Sequence, residues 1–213
     1  IEMNRHLQEF TETLETHAAR YGLQLDATTR AHLRDYYEHL LKWNALLHLV
    51  APCSPAEFAT RHVLESLTAC AHLPEGARVC DVGSGGGLPI IPCLVARPDL
   101  QHATLVESST KKAVFLREAL NHLQLQDRAR VVAERFERMP TPEADALTCR
   151  ALERFTEMYP RLVRWSPPAS RLLLFGGNAL GELVERDENI SSFVAIKMAD
   201  SERRFLFVIE RKD

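Results

Sequence analysis

The chain has 213 residues, 46% of them hydrophobic, 26% charged and 7% aromatic, with a formal net charge of −3. This suits one sizeable α/β domain with a short appendage and excludes a largely disordered chain; no apolar run approaches the roughly 18–20 residues that span a bilayer. The charge also excludes a generally basic nucleic-acid binder, and residues 1–75 hold 6 Lys/Arg against 10 Asp/Glu, so an anionic partner must be met by a local patch. No basic-then-apolar leader opens the chain, and Ile1-Glu2 reads as a remnant ahead of a natural start at Met3. The five cysteines (Cys53, Cys70, Cys80, Cys93, Cys149) form no C-x-x-C pair, which points to a reducing cytoplasm.

Leu7, Phe10, Leu14, Ala18 and Tyr21 recur at three- and four-residue steps and predict a first helix closed by Gly22. A second helix is expected after Asp26, carrying Leu33, Tyr37, Leu40, Leu41 and Leu47 toward a core. Ser54-Pro55-Ala56-Glu57 is the clearest start signal. Ser54 can cap, Pro55 needs no N–H at the first helical position, and Glu57 completes a capping box. This third helix should run to about His72, where Pro74-Glu75-Gly76 breaks it. A boundary is expected there, between a helical extension (1–73) and a second domain (74–213).

From Arg78 the pattern becomes strand, turn, helix, repeated. Strands are predicted at Ala77–Val82, Ala103–Glu107, Ala129–Ala133, Ala146–Cys149 and Arg171–Phe175. Helices are predicted between and after them at Pro89–Ala96, Thr110–Leu123, Arg154–Trp165 and Ala179–Asp187. Such alternation means a parallel sheet covered by helices on both faces. Ser192–Lys197 and Arg204–Glu210, joined by a few polar residues, read as a final antiparallel hairpin. The expected architecture is thus a doubly wound α/β sheet of seven strands with a helical N-terminal extension.

The informative segment is Val79-Cys80-Asp81-Val82-Gly83-Ser84-Gly85-Gly86-Gly87-Leu88-Pro89. A strand ending in an acid feeds a glycine turn and then a helix, and glycine lets the backbone turn sharply and a ligand come close. A purely structural turn is the bland alternative, disfavoured by four glycines within five positions. The dinucleotide fingerprint wants glycine at position 88, which is Leu88, and Pro89 and Pro92 each remove an N–H from the first helical turn. The loop is therefore a poor anion cradle, and a nucleoside without phosphate, S-adenosylmethionine being the common one, fits better. Glu107 ends the next strand 24 residues after Gly83, near the spacing at which a carboxylate meets ribose hydroxyls. Ala133-Glu134 falls where this topology puts the adenine edge, and Cys149-Arg150 falls beside the reacting centre.

Asp81 to Pro92 resembles the cofactor loop of the glucose-inhibited division protein B family, the ribosomal RNA small-subunit methyltransferases G. Further matches are Lys42-Trp43-Asn44, Arg61-His62 followed by Glu65-Ser66-Leu67, Lys111-Lys112 with Phe115-Leu116, Ala133-Glu134, Cys149-Arg150-Ala151 and the strand Arg204–Lys212. Together they cover the chain from about Asp35 onward. The resemblance implies a Rossmann-like class I methyltransferase that uses S-adenosylmethionine to methylate N7 of a guanine in 16S rRNA, within the 30S subunit. Gly83, Ser84, Gly85, Gly87, Leu88, Glu107, Ala133, Glu134 and Arg150 would hold the cofactor. The family usually has aspartate at Glu65, asparagine and threonine at His48 and Val50, and lysine at Phe175.

Methyl transfer from a sulfonium to guanine N7, which carries a lone pair and no proton, needs alignment and exclusion of water and no catalytic dyad. Arg150 is the candidate for holding substrate or cofactor, with a structural ion pair to Glu153 or Glu134 as the competing role. His62 and Ser66 lie one turn apart on the third helix, and His62 is assigned first to packing between the two parts and, as the resemblance alone implies, to shaping the site. No H-E-x-x-H or zinc spacing occurs, so no metal is expected. Lys111, Lys112, Arg135, Arg138, Arg150, Arg154, Arg161 and Arg164 are candidate RNA contacts near the sheet's carboxyl edge, although solvated helix faces would read the same. A monomer is expected. The rival readings are a methyltransferase for another substrate, a catalytically silent ribosome assembly factor, and an oxidoreductase, the last disfavoured by Leu88 and Pro89.

Overall fold

Seven strands form one sheet in the order β3-β2-β1-β4-β5-β7-β6. They are β1 (Arg78–Val82), β2 (His102–Val106), β3 (Ala129–Val132), β4 (Ala146–Cys149), β5 (Arg171–Gly176), β6 (Ile190–Lys197) and β7 (Phe205–Arg211) in the computed structural model, which describes residues 2–150, 152 and 154–213. The first five are mutually parallel, β7 runs antiparallel to β5, and β6 closes the hairpin at the edge. This is the predicted fold, with strand limits moved by one or two residues. Ile1, Ala151 of the arginine-alanine turn, and Glu153, one of the suggested partners of Arg150, lie outside the described residues.

Residues alternate across the sheet as a period of two requires. Val79, Ala103, Leu105, Ala146 and Leu173 face one core, and Cys80, Val82, Val106, Leu147, Cys149, Leu172 and Leu174 face the other. Being buried on both faces, the central strands read as continuous apolar runs.

The N-terminal helices add a layer to the first face. Helix α1 (Glu2–His17) tightens into a 3₁₀ turn, Ala18–Tyr21, which Gly22 ends in the left-handed conformation expected of a C-cap (φ 69°). Helix α2 (Ala27–Leu47) begins where Asp26 accepts the Thr29 N–H and ends at His48, also left-handed (φ 48°). The third helix is composite: α3 (Pro55–Glu57), a π-helical stretch Phe58–Leu64, α4 (Glu65–Leu67) and a 3₁₀ turn Thr68–His72. Ser54 caps it through the Glu57 N–H at 3.1 Å. The reciprocal half of the capping box is replaced, because the Glu57 carboxylate takes Arg61 one turn on instead.

Helices α5 (Ile90–Ala96) and α6 (Thr110–His122) lie under this layer, and α7 (Phe155–Trp165) and α8 (Asn178–Glu185) line the opposite core. Pro89 is the residue before α5, not its first, and Arg154 caps α7 in a left-handed conformation. Among the described residues no helix is long and apolar enough to cross a membrane.

Candidate active site

Register brings the carboxyl ends of three strands level: Asp81 lies beside Leu105 of β2 and Thr148 of β4. The chain leaves β1 between β2 on one side and β4 on the other, the switch point at which doubly wound sheets open a crevice. Two cavities of about 330 and 470 Å³ occupy that edge and share Gly83, Ser108 and Leu152 as walls. The smaller is lined on its far side by Glu134, Arg135, Phe136 and Met158. The larger is lined by Gly85, Gly86, Leu88, Glu107, Lys112 and Arg150, with Leu49, Val50, Ala51 and His62 from the N-terminal helices.

The glycine turn is hooked to β2. Gly83 and Ser84 N–H both donate to Val106 O (2.9 and 3.2 Å), Gly85 N–H to Glu107 Oε2 (2.8 Å) and Gly87 N–H to Ser84 O (2.6 Å). The other Glu107 oxygen accepts the Ser109 N–H at 2.8 Å. Four amides that would cradle a phosphate in a dinucleotide site are thus engaged, and a carboxylate stands among them. An ionised carboxylate offers about four acceptor positions, so Glu107 keeps capacity for hydroxyl donors.

Two glycines play different parts. Gly85 (φ +51°) has only Gly83 O near a notional Cβ, at 3.7 Å, so a side chain there would enter open space at the cavity wall. Gly87 (φ +87°) lines neither cavity; a Cβ would run into Ile91, so its glycine lets α5 approach the turn. Tyr36 braces the same turn from α2, donating to Gly86 O at 2.5 Å.

Behind the turn, Asp81 is fully buried. Its Oδ1 accepts the Thr148 hydroxyl at 2.6 Å, and Oδ2 has no hydrogen-bond partner among the described residues. Burial pushes this carboxyl up to about 7, with Glu107 adding and the Ser84 and Thr148 hydroxyls opposing. On the other wall, burial, aided by Arg150, Arg61 and Arg204, pushes the His62 imidazole down to about 4.

Arg150 does not pair with Glu134, which accepts its own neighbour's N–H, that of Arg135, and lies 3.8 Å from Arg138. It reaches the π-helical stretch instead. Its guanidinium donates to Arg61 O (2.5 Å), Ser66 Oγ (2.9 Å) and His62 O (3.4 Å), approaches Glu65 Oε2 at 3.4 Å, and lies 5.3 Å above the Phe175 ring. Arg150 thus pairs with Glu65, an acid that the sequence did not suggest, while it also lines the larger cavity. Ala133 is exposed and lines neither cavity, whereas Glu134 lines the smaller one.

Of the basic residues, Lys112 lines the larger cavity and the exposed Lys111 precedes it on α6; Arg135 and Arg154 line the smaller. Arg138 is exposed, Arg154 pairs with Glu157, and Arg161 and Arg164 lie on the exposed side of α7. Beyond the predicted residues, the cavity walls also include Leu49, Val50, Ala51, Val82, Gly86, Val106, Ser108, Ser109, Phe136, Glu137, Leu152 and Met158. Apart from Glu137 these are apolar or small residues with no chemical signature, and only the topology brings them to the edge.

A family model described as rRNA small subunit methyltransferase G matches residues 29–203. The chain belongs to this family. Curated relatives include the ribosomal RNA small subunit methyltransferase G of Sorangium cellulosum, 41% identical over 171 residues (77% of this chain, 71% of the relative). That of Xanthomonas axonopodis pv. citri is 47% identical over 140 residues, 64% of this chain and 65% of the relative, less than two thirds of the latter's length. Among solved structures, the O-methyltransferase from Bacillus cereus in complex with SAH superposes with a TM-score of 0.59 at 18% identity, covering 89% of this chain and 93% of that one. The fold is thus the Rossmann-like one of class I methyltransferases.

The departures from the methyltransferase G pattern have local explanations. His48 occupies a left-handed position, which asparagine and histidine both tolerate better than most residues. Val50 meets Asn44 through its main chain alone, N–H to Oδ1 at 2.9 Å and O from Nδ2 at 3.2 Å, so that contact survives a change of side chain. Glu65 engages two arginines, and Phe175 offers the ring over which one of them, Arg150, lies.

Proposed function

We propose that this chain is an S-adenosylmethionine-dependent methyltransferase that modifies N7 of a guanine in 16S rRNA, as a cytoplasmic monomer acting on the 30S particle and needing no metal. One observation carries the cofactor reading: four of the turn's amides are held by Val106 O, Glu107 and Ser84 O instead of facing an anion, and a carboxylate stands in the glycine-walled cavity beside them. Membership of the methyltransferase G family supports the substrate reading.

In this reading Gly83, Ser84, Gly85 and Leu88 bound the cofactor, and Gly87 keeps the turn and α5 together. Glu107 accepts from the ribose hydroxyls, Ala133 and Glu134 mark the adenine side, and Arg150 secures the wall opposite. Residues 74–213 form the methyltransferase part and 1–73 its helical extension. When bound, the cofactor supplies a methyl group already activated on a sulfonium. The chain's own residues then have three tasks. Leu49, Val50, Ala51 and Leu88 present an apolar wall that excludes water. Lys111, Lys112, Arg135, Arg138 and Arg154 meet phosphates. His62, half-buried and neutral at ordinary pH, offers a hydrogen-bonding edge without a repelling charge. Guanine N7 attacks with its own lone pair, so no residue need take a proton.

The test is incubation with radiolabelled methyl donor and 30S particles from a strain lacking this gene, followed by mapping of the labelled base. Label at one guanine N7 of 16S rRNA is expected, and Gly85→Asp, which fills the cavity wall with a charged side chain, should abolish it. Cofactor binding by calorimetry with no label in 16S rRNA would overturn the substrate reading.

A further inference from the structure

Glu65 is 1% exposed, yet it faces two arginines from distant parts of the chain. Arg204, at the entry to β7, grips it bidentately: Nε lies 3.1 and 3.3 Å from the two oxygens and a terminal nitrogen 2.8 Å from Oε1. Arg150 is left with a single long approach, 3.4 Å, to Oε2. Its stronger bonds go to Arg61 O and Ser66 Oγ, and it also reaches His62 O. That is the segment presenting the His62 ring to the larger cavity. The two arginines therefore divide one buried carboxylate. The turn before Arg204 is fastened to the N-terminal layer as well: Asp200 accepts from Arg20 (2.6 Å) and Tyr21 (3.2 Å), and Thr68 donates to Met198 Sδ (3.9 Å).

The arrangement is directional. Everything Arg204 controls through Glu65 lies on the His62–Arg150 wall. Among the described residues none of these groups hydrogen-bonds to Gly83, Gly85 or Glu107, which are held from β2. Without Arg204 a buried carboxylate would face Arg150 alone, and an ion left without its partner in the interior reorganises whatever counter-charge it can reach. Arg150 would turn toward Glu65 and release the main-chain carbonyls of the π-helical stretch.

We propose that Arg204 is a positioning residue for the methyl acceptor: acting through Glu65 and Arg150, the C-terminal hairpin sets the His62 wall of the cavity. This rests on the reading above, with the larger cavity taken as the place where acceptor meets cofactor. A residue holding only the fold together would weaken cofactor and acceptor alike, whereas Arg204 acts on the acceptor side.

The experiment compares wild type with Arg204→Met, which keeps the stem and removes the charge, and Arg204→Lys, which restores the charge but not the two-pronged grip. Three quantities are measured: cofactor Kd by calorimetry, kcat and KM on undermethylated 30S particles, and the titration midpoint of the His62 ring by NMR. Arg204→Met is expected to leave cofactor Kd within about threefold and to lower kcat/KM about tenfold or more, as a misplaced acceptor does. Its His62 midpoint should rise, because a neighbouring cation has gone. Arg204→Lys should fall between the two in both respects, and it carries the test if the methionine variant does not fold. An unchanged kcat/KM, whatever the His62 midpoint does, or a cofactor Kd weakened in step with kcat/KM, overturns the proposal. If wild type itself labels no 16S rRNA, the functional reading fails and the positioning inference that rests on it fails too; a wild type that labels, beside an Arg204→Met variant that labels equally well, overturns the positioning inference alone.

Discussion

Asp81 and His62 stand on opposite sides of the glycine turn and respond to pH in opposite senses. The Asp81 carboxyl titrates near 3.8 in the unfolded chain and at about 7 when folded, so the folded state holds the extra proton between those values. Its contribution to stability is complete below about 3.8 and is lost as pH rises through about 7. The His62 imidazole goes the other way, from 6.5 unfolded to about 4 folded. Its contribution is present above 6.5 and lost as pH falls through about 4. Between about 4 and 6.5 the two slopes oppose each other and mask one another. Asp81→Asn keeps the acceptor for Thr148 and removes the ionisation, so it should unmask the His62 slope. The difference in Tm between the variant and wild type should grow in the variant's favour as pH is raised from 4.5 to 8. A difference independent of pH would show that Asp81 is ionised throughout.

At the scale of elements, the composite third helix shows which start signals act. Ser54 accepts the Glu57 N–H, but the Glu57 side chain pairs with Arg61 at the surface, both partners being nearly half exposed. Ser54→Ala should therefore cost about 1 kcal/mol, the usual value of an N-cap, while Glu57→Ala should cost at most a few tenths, as exposed one-turn pairs do. Urea melts of the two variants distinguish these outcomes; equal losses would mean that the reciprocal cap forms after all. The same helix marks the limit of what the sequence shows. The order of strands and helices after Arg78 was legible because apolar runs, glycine turns and 3.6-residue periods alternate there. The cofactor edge was legible because glycines and acids sit at strand ends. The π-helical stretch Phe58–Leu64 left no trace, since one extra residue per turn changes hydrogen bonding and not composition. The pairing of Arg150 with Glu65 escaped the sequence for a related reason. Glu134 and Glu153 are near it in sequence or topology, whereas Glu65 lies 85 residues away and meets it only because the helical layer folds over β4.

At the scale of the molecule, the question is whether residues 74–213 stand alone. The core on one face of the sheet runs without a break from Phe10, Leu33, Tyr36 and Leu40 through Phe58, Leu64 and Leu67 to Ile90, Ile91, Leu105 and Phe115. Tyr36, Leu40, Phe58, Leu64 and Leu67 are all essentially inaccessible to solvent, and burying side chains of this size stabilises by about 1.5–3 kcal/mol each. Even if half of that burial is within the helical layer itself, the remainder is comparable with the net stability of an ordinary domain, about 5–15 kcal/mol. Separation would also remove the Tyr36 hydroxyl from Gly86 O and leave Arg150 without Arg61 O, Ser66 and Glu65. A fragment of residues 74–213 is therefore expected to keep strand and helix signals in far-UV circular dichroism. It should lose near-UV ellipticity, bind a hydrophobic dye and melt without a cooperative transition. Mixing it with a 1–73 fragment should restore near-UV ellipticity in a concentration-dependent way, because the covering layer supplies the missing apolar face. A sharp melt and native near-UV spectrum for 74–213 alone would show instead that the sheet and its four helices are sufficient, and that the N-terminal helices serve the His62 wall without holding the fold.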